Sequence, residues 1–480
     1  MALPANKTKL VCTIGPASEA PDVLRQLLQA GMNVARLNFS HGTFAWHQKT
    51  INALRLAAST AGKRLAIMAD LPGPKIRIGQ FAEEPVELEM GNIFTLTTTE
   101  CPGTAQRVFV DFPRLPAVVK LGDRIFLNDG IVQLEVIKAT DSDVECRILV
   151  GGELRSRKGV NLAGIDLGIS AFTEHDHACL KFALENGVDT ISQSFVGTAA
   201  DIDAVRQAAE ALGHRPFIIA KIERAGALAN VDEIMKAADG IMIARGDLGV
   251  ETPIENIAVV QKQLILQANQ LGKPVITATQ MLESMVREFR PTRAETTDVA
   301  NAILDGTDCV MLSEESAMGK FPVEAVNVLA RIAAATEPYR IKSRSMEVFA
   351  NYDRAKDPRF VDLISRHVAQ TVTHIAPVAV IVPTLTGHTA RMVSRFKLPV
   401  WIAAVSPEEA TCQGLQFSYG VYPVHEPNSP ENWSAFAKGW AKEKQLTTGT
   451  VVLTEGPSRD NPEANPHLEI FDLSRMRQTI

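Results

Sequence analysis

Eight short apolar runs punctuate the first two thirds of the chain, and each closes on polar residues. They read KLVCTIGPAS, MNVARLNFSHG, RLAIMADL, DTISQSFV, FIIAKIER, GIMIARGDLG, PVITATQML and CVMLSEESA. Between most of them lie amphipathic segments with helical spacing, such as APDVLRQLLQAG, DIDAVRQAAEALG and IENIAVVQKQLILQANQLG. The last ends at Gly272, a residue suited to the left-handed turn that stops a helix. Strands alternating with helices predict parallel pairing through helical crossovers, and eight such units are the number that closes a (β/α)8 barrel.

The alternation breaks once. From Pro72 to about Gly164 the spacing of apolar residues falls to two, with turn signals, as in RIFLNDGIVQLEVI around Asn128-Asp129-Gly130. This predicts a small β-barrel lid domain, residues 72–164, inserted after the third strand of a barrel formed by residues 1–71 and 165–345. Its outgoing hinge is the stiff turn Pro72-Gly73-Pro74, and RSRKGVNLAG is the returning one. Beyond about residue 345 shorter apolar runs (PVAVIVPTLTGHTARMVSRF, PVWIAAVS, YGVYPVHE, TVVLTEG, HLEIFDL) predict a separate C-terminal α/β domain, residues 346–480, of four or five strands. The charged stretch EVFANYDRAKDPRF reads as its linker.

Bulk properties narrow the function. The 480 residues are 46% hydrophobic and 22% charged, ordinary for a soluble globular chain of two to four domains. A net charge of -6 without a basic run argues against nucleic acid as a partner. No apolar stretch approaches the roughly 20 residues of a membrane span, and the start MALPANKTKL has no secretory apolar core. Six scattered cysteines without a C-x-x-C pair argue against a zinc site or a disulfide framework, so a cytoplasmic protein is expected.

In a barrel of this kind chemistry sits where strands end. Those positions carry Arg36, Asn38, Ser40 and His41; Asp70; Ser194; Lys221 and Glu223; Arg245 and Asp247; Thr279; and Ser313 and Glu315. One such residue would be an ordinary surface charge. Their recurrence at nearly every strand end points to one shared site. Cations, carboxylates and hydroxyls without a nucleophilic triad suit an anionic substrate and a divalent metal, with Glu223 and Asp247 as hard oxygen ligands for Mg²⁺ or Mn²⁺.

The segments CTIGPAS, MNVARLNFSHG, AKIER, MIARGDLGVE and ITATQMLESM…RPTRAE, in that order, closely resemble pyruvate kinase of the bacterial type. The resemblance runs from residue 8 to about 325, and the C-terminal segment fits that family's third domain. It implies transfer of a phosphoryl group from phosphoenolpyruvate to ADP, giving pyruvate and ATP, in a cytoplasmic homotetramer. Carried over residue by residue, it implies that Lys221 stabilises the transferring group, that Glu223 and Asp247 hold Mg²⁺, and that Arg36 contacts phosphate. Gly246, Asp247 and Thr279 would cradle the carboxylate, and Asn38, His41, Arg77 and Lys158 would face the nucleotide. Thr279 also stands near the expected proton donor, although an alcohol alone is a poor acid and water or a relay is the better expectation.

Where the family binds K⁺, the matching oxygens are those of Asn38, Ser40, Asp70 and the Leu71 carbonyl. Family members that need K⁺ carry Thr at the position of Leu71 and Glu at that of Lys75. Here a lysine behind a rigid hinge brings its own charge, so Lys75 is expected to stand in for K⁺. The turn in PTLTGHTARMVSRF, with Thr384, Thr386, Gly387 and Thr389, has hydroxyls at a helix start, where phosphate groups bind. The resemblance supports an allosteric site there for a sugar phosphate or AMP, with TEGPSRDNP as a covering loop. The chain departs from the family pattern at Glu314, Gly226 and Gly197, away from the metal and phosphoryl positions. Two other readings are a metal-dependent aldolase acting on pyruvate and a non-catalytic metabolite sensor. The first needs no lid domain, and the second no Lys221-Glu223-Asp247-Arg36 set.

Overall fold

The structure, a computed structural model, describes residues 2–128, 130–165, 167–340, 359–455 and 466–473. The first three strands are β1 (Lys9–Thr13), β2 (Met32–Asn38) and β3 (Ala66–Leu71). The chain then leaves for an all-strand excursion: β4 (Val86–Leu88), β5 (Ile93–Thr97), β6 (Arg107–Phe109), β7 (Arg124–Leu127), β8 (Val132–Ala139), β9 (Asp143–Val150), β10 (Gly152–Leu154) and β11 (Val160–Leu162). It returns through β12 (Thr190–Gln193), β13 (Phe217–Ile222), β14 (Gly240–Ala244), β15 (Val275–Ala278) and β16 (Cys309–Leu312). The five returning strands and the first three close a parallel barrel in the order β1-β16-β15-β14-β13-β12-β3-β2. All eight apolar runs of the sequence are its strands.

Because side chains alternate across a strand, each barrel strand has an inward and an outward column. Val11, Val34, Met68, Ile219, Met242, Ile276 and Met311 form one buried cluster inside the barrel. The Phe217 and Phe417 rings, stacked at 5.7 Å, close it from below. A second cluster (Leu10, Cys12, Leu37, Ile67, Ile191, Ile218, among others) packs the outward column against the helices. Stepping two residues toward the strand ends along the inward column turns Val34 into Arg36, Met68 into Asp70 and Ile219 into Lys221. The apolar plug thus forms the floor of a charged mouth.

The excursion folds into a six-stranded sheet, β11-β7-β8-β9-β5-β6, and a two-stranded one, β10-β4, around their own core of Phe94, Leu96, Ile125, Leu134, Val136 and Ile148. β7 and β8 pair antiparallel, as the hairpin pattern predicts, although Asp129 at its tip lies outside the described residues. The exit hinge is anchored on the barrel. Gly73, at φ +65°, donates its N–H to Asp176 Oδ1 (2.9 Å), and a Cβ there would sit 2.8 Å from Phe195. The same Asp176 caps the helix Glu174–Glu185 reciprocally with Thr173.

In the C-terminal region β17 (Ala379–Pro383), β18 (Trp401–Ser406), β19 (Val421–His425), β20 (Thr450–Glu455) and β21 (His467–Asp472) form a sheet in the order β19-β18-β17-β20-β21. The pairs are parallel except for β20 with β21. Most of the expected linker, and residues 456–462 of the expected covering loop, lie outside the described residues.

Candidate active site

Lys221 reaches the centre of the mouth. Its Nζ donates to Ser194 Oγ at 2.6 Å and faces Glu223 Oε2 at 3.2 Å and Asp70 Oδ1 at 3.4 Å. Arg36 clasps the other side of Asp70, with Nε and Nη2 donating to Oδ2 at 2.8 and 2.5 Å and Nη1 to Thr13 Oγ1 at 2.9 Å. Glu223 Oε1 accepts the Phe195 N–H at 2.7 Å. Two cations and two carboxylates, with side chains 12% exposed or less, therefore form one network.

Burial disfavours every one of these charges, and the mutual pairings decide which survive. Asp70 would rise on burial, but Lys221 and Arg36 carry it below the usual carboxylate range. Burial opposes the charge on Lys221, yet Asp70 and Glu223 hold its pKa above that of a free lysine. Glu223 is pushed up to about 7 by burial, with Asp247 and Asp70 adding to the push against Lys221. Both Glu223 Oε2 and Asp70 Oδ1 are buried, and the shared Lys221 ammonium is the one cation that meets them among the described residues, without well-aligned hydrogen bonds. A buried carboxylate whose oxygen shares one ammonium with a second carboxylate is a place where a divalent cation lowers the energy of the charged form. Among the described residues no three His, Cys, Asp or Glu side chains gather as a metal cage. Two carboxylates with room for substrate oxygens and water fit the way Mg²⁺ is held.

Thr279 follows β15 with φ +64°, and Gln280 follows it at +54°. Two successive left-handed residues without glycine are a costly backbone that persists where a side chain must be aimed. The result is that Thr279 Oγ1 accepts the Gly246 N–H at 2.8 Å and donates to Ala278 O at 2.7 Å. Asp247 is the next residue on the short helix Arg245–Glu251, half-buried and close enough to act on Lys221 and Glu223.

On the insertion side, burial lowers the His41 pKa, helped by Arg77, Lys75 and Arg36, so these cations share one neighbourhood. Arg77 lies opposite Gly159 across the two hinge segments, and Lys158 O accepts the Ile78 N–H at 2.9 Å. Asn38 Oδ1 accepts the Ser40 N–H at 3.1 Å. Lys75 is exposed and has no ion-pair partner among the described residues; a Cβ on Gly159 would lie 3.7 Å from its Cε.

Three members of the strand-end set point elsewhere. Arg245 is tied to Asp298 (2.7 Å), Ala278 O and Thr279 O, bracing the loop after β15. Glu315 accepts the Leu282 and Ser313 N–H groups, and Ser313 serves as a turn residue before Glu314–Ala317. Conversely, Thr13 joins the site as a partner of Arg36. Its signal was available: it stands two residues beyond Val11 on the inward column.

In the C-terminal domain Gly387, at φ +77°, donates its N–H to Thr384 Oγ1 at 3.0 Å before the seven-residue helix His388–Ser394. Arg391 of that helix donates to Thr386 O at 3.0 Å and lies 5.7 Å from the Phe217 ring centre. Thr389 stands half-buried in the helix's first turn.

A closed parallel barrel with buried, mutually paired charges at its C-terminal mouth, beside an inserted β domain, defines a barrel enzyme. Residues 5–326 match the family model described as pyruvate kinase, barrel domain, and residues 362–466 match pyruvate kinase, alpha/beta domain. A pyruvate kinase of Thermococcus litoralis is 47% identical over 98% of this chain and 100% of its own length. One of Geobacillus stearothermophilus is 44% identical over 88% of this chain and 72% of its own length. A crystal structure of a pyruvate kinase from Cryptosporidium parvum superposes with a TM-score of 0.91 at 34% identity, covering 98% of this chain and 96% of that one. The chain belongs to the pyruvate kinase family.

Proposed function

We propose that the chain transfers the phosphoryl group of phosphoenolpyruvate to ADP, yielding pyruvate and ATP. The observation that carries this reading is the Lys221 ammonium, held inside the barrel by Ser194, Asp70 and Glu223 above an apolar floor. Phosphoryl transfer asks for alignment and for neutralisation of spread charge, not for a covalent partner. A fixed, largely buried ammonium supplies both at little reorganisation cost.

In this reading Lys221 faces the transferring group, Arg36 steadies its oxygens, and Gly246, Asp247 and Thr279 hold the carboxylate. Asn38, His41, Arg77 and Lys158 orient the nucleotide. Glu223 and Asp247 would hold Mg²⁺, with Mn²⁺ as an alternative, and the ion would neutralise oxygens shared between substrate and nucleotide. The Thr279 hydroxyl already gives its proton to Ala278 O, so protonation of the enolate runs through water or a relay. The insertion, hinged at Pro72-Gly73-Pro74 and around Gly159, acts as the lid.

Three finer properties complete the proposal. Lys75 replaces K⁺, and Leu71 and the oxygens of Asn38, Ser40 and Asp70 do not need the ion. Thr384, Thr386, Gly387 and Thr389 receive a phosphorylated activator, a sugar phosphate or AMP. The enzyme works as a cytoplasmic homotetramer; among the described residues no helix is long and apolar enough to cross a membrane. A coupled assay of pyruvate formation, with ADP and Mg²⁺ omitted in turn, tests the reading. Pyruvate formed only when both are present supports it; turnover without ADP points to an aldolase, and none to a sensor.

A further inference from the structure

The short helix Arg245–Glu251 carries Gly246 and Asp247 at its start, and its other end touches the insertion. Val250 meets the tip of the β7–β8 hairpin, since a Cβ on Gly130 would lie 3.3 Å from Val250 Cγ2. Glu251 stands one helical turn after Asp247, on the same face. Its Oε2 accepts the Ala225 N–H at 2.9 Å, and the Gly164 amide of the returning hinge faces the same carboxylate. Arg224, whose charge also acts on Glu251, donates through Nη2 to Ile165 O at 2.9 Å, one residue further along that hinge. Between the two hinge segments and Glu251 lies a cavity of about 20 Å³, lined by Pro74, Ile76, Val160, Leu162 and Phe195. The tethering residues Glu251 and Arg224 thus line the same small cavity as the two hinge segments.

We propose that Glu251 is a positioning residue: with Arg224 it latches the lid's returning hinge to the helix that bears Gly246 and Asp247. Occupancy of that helix's start then biases the lid toward one position, and the lid's position in turn sets how well the helix is held. Such coupling needs a two-state element that both ends contact, and the hinge is that element. A carboxylate suits this place, because the Ala225 N–H donates to it and the Arg224 charge acts on it while that guanidinium holds Ile165 O. Glutamine would keep the length but turn an amide NH₂ toward donors.

The experiment uses the full chain and its Glu251→Gln and Arg224→Gln variants and the double variant. Amide exchange of the peptide spanning Gly164 and Ile165 is measured with and without phosphoenolpyruvate and Mg²⁺. In wild type the additions should slow exchange at this hinge by at least tenfold. Each single variant should lose most of that response, and the double variant should lose no more than either single one, the signature of a shared latch. The apparent KM for ADP should rise about tenfold in Glu251→Gln while kcat falls less than threefold, and the melting temperature should stay within a few degrees. Retention of the ligand-dependent hinge protection in Glu251→Gln overturns the proposal. So does an equal fall in kcat and hinge protection with a collapse of thermal stability, which marks a residue that only holds the fold. The kinetic arm rests on the pyruvate kinase reading and the exchange arm does not. If wild type formed no pyruvate but its hinge still responded, the reading would fail and the latch would stand.

Discussion

The ends of β13 and β17 resemble each other on paper: a parallel strand runs into a polar segment rich in groups able to meet an anion. In three dimensions they differ. After β13 the groups are buried, and Glu223 Oε2 and the facing Asp70 Oδ1 share the single Lys221 ammonium without well-aligned hydrogen bonds. After β17 the turn meets its own needs: Gly387 N–H donates to Thr384 Oγ1, Arg391 to Thr386 O, and Thr411 Oγ1 to Leu385 O at 2.8 Å. The first is a preorganised network of paired charges; the second must break internal hydrogen bonds to receive a ligand. A preorganised site should show large effects on substitution and a self-satisfied turn small ones, because the ligand at the turn gains only the difference.

The largest effect tests the barrel end. Lys221→Met should lower kcat at least 10²- to 10³-fold, the common loss for one preorganised electrostatic stabiliser. The fold should survive, since methionine fills a similar volume. Removing the ammonium leaves Asp70 paired with Arg36 but Glu223 without a cation, so metal affinity should rise or hold while turnover falls. Activity above about a tenth of wild type, roughly 1.4 kcal/mol of barrier, would remove Lys221 from the role given to it.

Next comes Lys75, which lies between the two cases: near the site, yet exposed. At about 4 Å and an effective dielectric near 20 a unit charge is worth roughly 4 kcal/mol, but solvent screening cuts this steeply for an exposed lysine. We expect equal rates in KCl and choline chloride at matched ionic strength. Lys75→Glu should lose about tenfold in choline chloride, roughly 1.4 kcal/mol, and recover in KCl. Strong K⁺ activation of wild type would reverse the assignment.

A smaller effect belongs to the β17 turn. Titrating sugar phosphates and AMP should lower the half-saturating phosphoenolpyruvate concentration by a few-fold, and Thr386→Glu should erase that response without changing basal kcat. An activated response that survives Thr386→Glu places the effector elsewhere.

The same contrast explains what was legible in the sequence. The barrel could be read because parallel strands buried on both faces leave long apolar runs, and because period two carries a column from Ile219 to Lys221. The sequence could not distinguish Arg36 from Arg245: both follow apolar strand residues and precede a turn. Only the closure of the barrel turns one toward Asp70 and the other toward Asp298. Thr13 could be placed on the inward column, two residues beyond Val11, but its role could not be read. Its hydroxyl matters through Arg36, and nothing in CTIGPAS announces a partner on the neighbouring strand. Glu251 was hidden further still, since its significance lies in the Gly164 and Ala225 amides, which have no side-chain signature.

The smallest prediction concerns stability at the foot of the β17 turn. His388 opens the helix His388–Ser394. Its pKa is lowered to about 4 by burial, with Arg391, Arg359 and Lys273 adding to the shift and Asp362 opposing it. Above pH 6.5 the imidazole is neutral in both the folded and the unfolded chain, and its contribution is fully present. Between pH 6.5 and 4 the unfolded chain takes up a proton that the folded one resists, so stability is lost as pH falls; below pH 4 the loss levels off. The group is only partly buried, which reduces the linkage to about 1–2 kcal/mol. His388→Gln removes the titration and keeps a polar side chain of similar size. Melting curves of both proteins from pH 7.5 to pH 4 should therefore converge, wild type losing ~2–5 °C more than the variant. Parallel curves would mean that the folded domain accepts the proton as readily as the unfolded chain, and that the cations around His388 are screened more thoroughly than their placement implies.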